Sequence, residues 1–159
     1  MVGKLTADMK RVVAEQRLVY VATVCPDGTP NLSPKGTIAV WDDDHLVFAD
    51  IRSPGTIANL KSNPAVELNI VDPFRRKGYR FKGTGRVVVD GELFQEIMRL
   101  YRGRWQETAK SRESLIRGFV IVKVDEALPL ISPAYDDGSM DEQSIRKYWI
   151  SYFAELNGR

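Results

Sequence analysis

The chain has 159 residues, of which 43% are apolar and 28% charged, and its 23 basic and 21 acidic residues leave a net charge of +2. That length and balance fit one globular domain, residues 1–159, with an ordinary core, and give no reason to expect a nucleic-acid partner. No apolar run approaches the roughly 20 residues that a membrane-spanning helix needs. The chain opens with "MVGKLTADMKRVVAEQ", which has neither an apolar signal core nor a cleavage site. Leu5, Met9, Val12 and Val13 fall on one face, so residues 1–16 read as an amphipathic helix. The one cysteine, Cys25, excludes an internal disulfide and fits a reducing, cytoplasmic setting. It reads as a strand-end packing residue, because the one histidine, His45, sits apart in the acidic turn "DDDH". With no Cys/His cluster, no metal site is expected.

"RLVYVATV" then has the composition of a strand, and "CPDGTP" is a turn shaped by Pro26 and Asp27-Gly28. "NLSPKGTIAVW" reads as one disturbed strand. Pro34 cannot donate to a ladder and implies an edge or bulge; Gly36 implies a close approach to the backbone. "LVFADI" is the third strand, followed by a short helix closed by "SNP". "AVELNIV" and "YRFKGTGRVVV" are strands, the latter with Gly83 and Gly85 as bend points. The basic run "DPFRRKGYRFKG" reads either as a solvated loop or as a segment facing an anion. "DGELFQEIMRLYRGRW" is a helix with a stripe of Leu93, Phe94, Ile97, Met98, Tyr101 and Trp105. "FVIVKV" is the last strand and "LPLISPAYDDGS" a loop. Residues 140–157 form a C-terminal helix with Ile145, Trp149, Tyr152, Phe153 and Leu156 at helical spacing. Tight turns between neighbouring strands mean antiparallel pairing. The expected fold is mainly β: six antiparallel strands in a closed or half-open barrel over residues 17–125, with flanking helices.

The corner "FADIRSPGTIANLKSNP" carries the strongest functional signal. Ser53 suits an N-cap and Pro54 the first helical position. Gly55 and Thr56 then present N–H groups with no partner inside the helix, at its positive end. With the Thr56 hydroxyl and the Arg52 guanidinium they suit a phosphate; the bland alternative is a plain helix cap. In "NLSPKGT", Ser33, Lys35 and Thr37 alternate onto one face, expected to run antiparallel to "LVFADI". Lys35 supplies a second cation, and Asn31, Asp50 and backbone groups can address a ring or polyol.

This arrangement resembles the flavin-binding split β-barrels related to pyridoxamine 5′-phosphate oxidase, over residues 5 to 125. The most specific segments are "LVFADIRSPGTIANLKSNPAVEL", "CPDGTPNLSP" and "GTGRVVVDGELF". The resemblance implies a six-stranded Greek-key barrel and a homodimer, with FMN in a groove at the dimer interface and its phosphate near the corner helix. Where the true oxidases carry Ser-Arg-Lys, this chain has Pro54, Gly55 and Thr56, and it ends in a helix and "ELNGR". It is therefore closer to the small FMN-binding and flavin reductase-like members.

The candidate cofactor-binding residues are Ser33, Pro34, Lys35, Gly36, Thr37, Asp50, Ile51, Arg52, Gly55 and Thr56. Backbone N–H groups of Lys35 to Thr37 are placed to meet the ring. No catalytic side chain is assigned, since the flavin itself carries the electrons. Tyr79, Phe81 or Trp105 read either as ring-stacking groups from the second subunit or as core. Three functional readings follow: an FMN-dependent oxidoreductase passing electrons between a small-molecule donor and acceptor, a non-catalytic FMN carrier or stress-response protein, and a protein using the deazaflavin F420.

Overall fold

The computed structural model describes residues 3–104 and 113–158. In chain order the elements are α1 (Ala7–Gln16), β1 (Val19–Val24), β2 (Pro30–Lys35), β3 (Ala39–Val40), β4 (His45–Asp50) and α2 (Pro54–Ser62). They continue with β5 (Ala65–Asp72), β6 (Lys77–Val88), α3 (Gly91–Arg104), β7 (Gly118–Ile131), a 3-10 turn at Pro133–Tyr135, and α4 (Glu142–Asn157). All seven strands form one sheet in the order β2-β1-β5-β6-β7-β4-β3, and every pairing is antiparallel. The edges β2 and β3 are not paired with each other, yet only residues 36–38 separate them in the chain. That connection spans at most about 14 Å, so the sheet curls until its edges nearly meet. The result is a half-barrel with an open seam, in a mixed α/β architecture.

Six strands were expected where there are seven. "NLSPKGTIAVW" breaks at Gly36-Thr37, so β2 pairs with β1 while β3 pairs with β4. The expected pairing of "NLSPKGT" with "LVFADI" is therefore wrong; the two meet across the seam. β2 is an edge strand, as Pro34 implies. Gly36 has no close neighbour, since a Cβ there would come no nearer than 4.0 Å, to the Arg17 carbonyl. Gly83 does mark a bend: the β6–β7 register shifts between Lys82 and Gly83. The last strand runs past "FVIVKV" to Ile131.

Strand alternation divides the core in two. Val19, Val21, Phe48, Leu68, Phe81 and Val122 fill the barrel interior, closed by Val12 and Val13 of α1 and Leu60 of α2. On the outer face of β4 and β7, Val47, Ala49 and Phe119 pack under Ile97, Met98 and Tyr101 of α3. Phe81 is thus core and not a ring-stacking group. Tyr79 packs against the interior cluster and donates its hydroxyl to Asp8. Trp105 lies outside the described residues.

Of the basic run, Arg75, Arg76 and Lys77 meet α4. Arg75 pairs with Asp72 at 2.7 Å and Glu142 at 3.1 Å, Lys77 pairs with Glu142 at 2.8 Å, and Arg76 stacks 3.6 Å from the Trp149 ring centre. Within α4, Ile145 is buried, whereas Tyr152, Phe153 and Leu156 are exposed. No helix among the described residues is long and apolar enough to cross a membrane.

Candidate functional site

The register of β1 with β2 decides which side chains enter the seam. Lys35, Ser33 and Asn31 stand opposite Val19, Val21 and Thr23, and so share the interior face with them. Pro34 and Leu32 point outward by alternation. The interior of β2 is therefore polar where that of β1 is apolar. Lys35 is only 5% exposed, and its ammonium donates to the Ser33 hydroxyl. Burial, opposed by the Asp50 carboxylate, pulls its pKa below the ordinary lysine value. An ammonium has three donors, so a nearly buried one resting on a single neutral oxygen is under-satisfied.

Further along the seam, Asn31 donates to Thr23 at 3.1 Å and lies 3.5 Å from the Thr56 hydroxyl. Asn59 of α2 also donates to Thr23, at 3.1 Å, and lies 3.5 Å from the half-buried Cys25 sulfur. α2 thus closes the seam through a small buried polar network. Thr56 belongs to that network and is 2% exposed.

At the corner, Ser53 occupies the N-cap position, but its side chain makes no capping bond. Its own N–H instead donates to the buried Asp50 carboxylate, at 3.1 Å. Among the described residues no hydrogen bond takes up the N–H groups of Gly55 and Thr56. Arg52, Pro54 and Gly55 are exposed, and Arg52 makes no ion pair or hydrogen bond with described residues. Ile51 turns away and packs on the α3 cluster.

The turn at residues 36–38 is held from behind. The Thr37 hydroxyl accepts from Ala49 N–H at 3.0 Å. The Tyr101 hydroxyl donates to the Thr37 carbonyl and, at 3.2 Å, to that of Val47. Arg104 donates to the Ile38 carbonyl at 2.8 Å. The structure therefore brings Ser33, Lys35, Asp50, Thr56 and the corner to one seam, leaves Pro34 and Ile51 facing outward, and shows Gly36 and Thr37 as the bridge. Sequence reasoning missed Thr23, Asn59 and Tyr101. For Thr23 the signal was available: it has the interior parity of its strand. His45 is held by Asp42 at 2.8 Å through Nδ1, away from the seam.

Residues 5–128 match the pyridoxamine 5′-phosphate oxidase family, and the chain belongs to that family. HupZ of Group A Streptococcus is 29% identical, with a TM-score of 0.68 over 80% of this chain and 94% of that one. An uncharacterised protein of Methanocaldococcus jannaschii is 28% identical over 133 residues, 82% of this chain and 84% of the relative. An FMN-binding protein from Syntrophomonas wolfei shares the fold at 20% identity, with a TM-score of 0.62 over 77% of this chain and 84% of that one.

Proposed function

We propose that this chain binds FMN at the seam, with a second copy of the chain completing the site, and passes electrons between small molecules. The observation that carries the reading is the uncapped amino end of α2. Two N–H groups without partners among the described residues stand there beside Arg52, which pairs with none of them, next to a seam whose buried Lys35 makes no ion pair with a described carboxylate. These groups fit a single phosphate and a ring with carbonyl oxygens. Arg52 and the Gly55 and Thr56 amides hold the phosphate. Asn31 and Ser33 address the polyol, and Lys35 keeps positive charge under the ring. Thr56, buried and 3.5 Å from the Asn31 amide, fixes the height of the helix end. Bound flavin supplies the electron-transfer chemistry. The corner is an open surface, which favours a second copy closing it. Leu32, 65% exposed, stands on the outer face of the same sheet with Tyr20 and Val71, all apolar and unburied.

Mass spectrometry of the ligand released from denatured protein is expected to give FMN; a deazaflavin, a heme or FAD alone would overturn the assignment. A charge-assisted hydrogen bond contributes roughly 1.5–3 kcal/mol. Arg52→Ala should therefore weaken FMN about tenfold or more and riboflavin much less. Equal losses for both ligands would remove that residue from the phosphate. Reduction by NADH or NADPH and reoxidation by an acceptor distinguishes an oxidoreductase from a carrier, and light scattering at twice the chain mass is expected.

A further inference from the structure

A cleft of about 660 Å³ opens at the other end of α2 from the corner, between that helix, Pro64 and strands β4, β7 and β6. That volume lies within the roughly 300–1,000 Å³ of small-molecule sites. Leu60, Pro64, Val87 and Ile121 give it an apolar lining. Lys61, Arg86, Lys123 and His45 also line it, and among the described residues no carboxylate does.

The cations are concentrated by strand register. His45 and Thr84 both stand opposite Lys123, and Arg86 stands opposite Ile121 on the same face. Arg86 and Lys123 are therefore diagonal neighbours, a placement of like charges that works against folding. Lys61 and Arg86 make no ion pair or hydrogen bond with described residues, and Lys123 reaches only Asp125, at 4.0 Å. Lys61 lies in the last turn of α2, where it offsets the negative helix end. Arg86 and Lys123 have no comparable structural duty. Asp42 holds the His45 ring by Nδ1 and leaves Nε2 as its remaining polar atom.

We propose that this cleft binds a small anionic molecule with an apolar body. Arg86 and Lys123 take its phosphate or carboxylate, and Ile121, on their face of the sheet, takes the body together with Pro64. Among the described residues no aromatic side chain lines the cleft apart from His45, and the whole chain is nearly charge-balanced at +2. Both features favour a small molecule over a nucleic-acid strand, which needs stacking platforms and a basic track. The site shares no residue with the flavin seam and stands independently of that reading.

The test titrates the full chain with 1-naphthyl phosphate and with 1-naphthol, followed by calorimetry and ligand-observed NMR. The phosphate is expected to bind at least tenfold more tightly than the naphthol. The double variant Arg86→Gln, Lys123→Gln should lose at least tenfold of that affinity with an unchanged or raised melting temperature, and Lys35→Ala should lose none. Four results would each overturn the proposal: no binding of the phosphate, equal affinity for both probes, a loss confined to Lys35→Ala, or displacement of the probe by a tighter-binding single-stranded oligonucleotide. Because Lys35→Ala reports on the seam alone, failure here leaves the flavin reading to its own experiment.

Discussion

Tyr101 offers a way to measure how firmly the bridge across the seam is held. Its ring is fully buried 5.1 Å from that of Phe119, and burial pushes its phenol pKa up, so it stays a donor. Tyr101→Phe keeps the ring and deletes only the hydroxyl, leaving the Thr37 and Val47 carbonyls one donor short. A buried polar group left unsatisfied costs about 1–3 kcal/mol. A loss of about 2 kcal/mol is expected, a fall of roughly 4–8 °C in Tm for a chain of this size. Tyr101→Ala, which also removes the ring, should cost more, about 3–5 kcal/mol. Arg104→Ala removes the other anchor of the bridge, at Ile38. The two losses act on adjacent residues, so a double-mutant cycle of Tyr101→Phe with Arg104→Ala should show coupling of at least about 0.5 kcal/mol. Urea denaturation with an unchanged m value is the assay. A Tyr101→Phe variant within about 0.5 kcal/mol of wild type, or strict additivity in the cycle, would refute the idea that α3 anchors this turn.

Lys35 and Gly83 make two further tests. Burial lowers the folded-state pKa of Lys35 below its unfolded value, so the unfolded chain binds more protons between those two values. Wild-type stability should therefore rise relative to Lys35→Met as pH increases through that window toward the ordinary lysine value, and level off above it. Urea melts of both proteins across that range read the difference, and a difference that stays flat or falls with pH would contradict the burial of the charge. A Cβ at Gly83 would lie 1.8 Å from the Lys123 carbonyl oxygen; Gly83→Ala should lose about 3 kcal/mol or more, and a near-neutral melting curve would show that the bulge relaxes around a methyl group.

Most of the strands were legible because their apolar residues alternate or run together, and those signals are local. Pairing was not legible. β1 lies beside β5 and β4 beside β7, neighbours that tight-turn reasoning does not produce. The break between β2 and β3 was hidden because apolar and polar residues keep alternating through Gly36-Thr37. The tail of β7 lies in "LPLISPAYDDGS", which reads as a loop because of its two prolines, Pro129 and Pro133. From Asp125 onward, however, β7 pairs only with β6, since β4 ends its pairing at Lys123 and its last bond on that side is from Val124 N–H to the Asp44 carbonyl. That half is an edge, where a proline costs little. The cations of the basic run had partners 65 and 67 residues away, in Glu142, beyond any local pattern. In the candidate site, the corner and the polar face of β2 were legible from residue type and parity. The uncapped state of Ser53 was not, because a serine before a proline reads as a good cap whatever Asp50 does to its backbone.

The position of α2 is where these observations meet. It is a helix of nine residues, about 12 Å from first to last at 1.5 Å per residue, with the flavin corner at one end and the cationic cleft at the other. Its inner side is held by two different kinds of contact. Thr56 and Asn59 enter the polar network with Asn31 and Thr23, and Leu60 enters the apolar interior. Gly85 sets how deeply Leu60 sits, since a Cβ there would lie 3.0 Å from the Leu60 Cδ2 atom. Hydrogen bonds are directional and fix the helix along and about its axis, whereas packing against Gly85 fixes its depth. The amides offered to a phosphate and the wall offered to the cleft are therefore parts of one rigid element. Thr56 offers its amide to the phosphate and Leu60 lines the cleft, so a substitution that moves α2 disturbs both sites, and the two are altered separately only at their own cations.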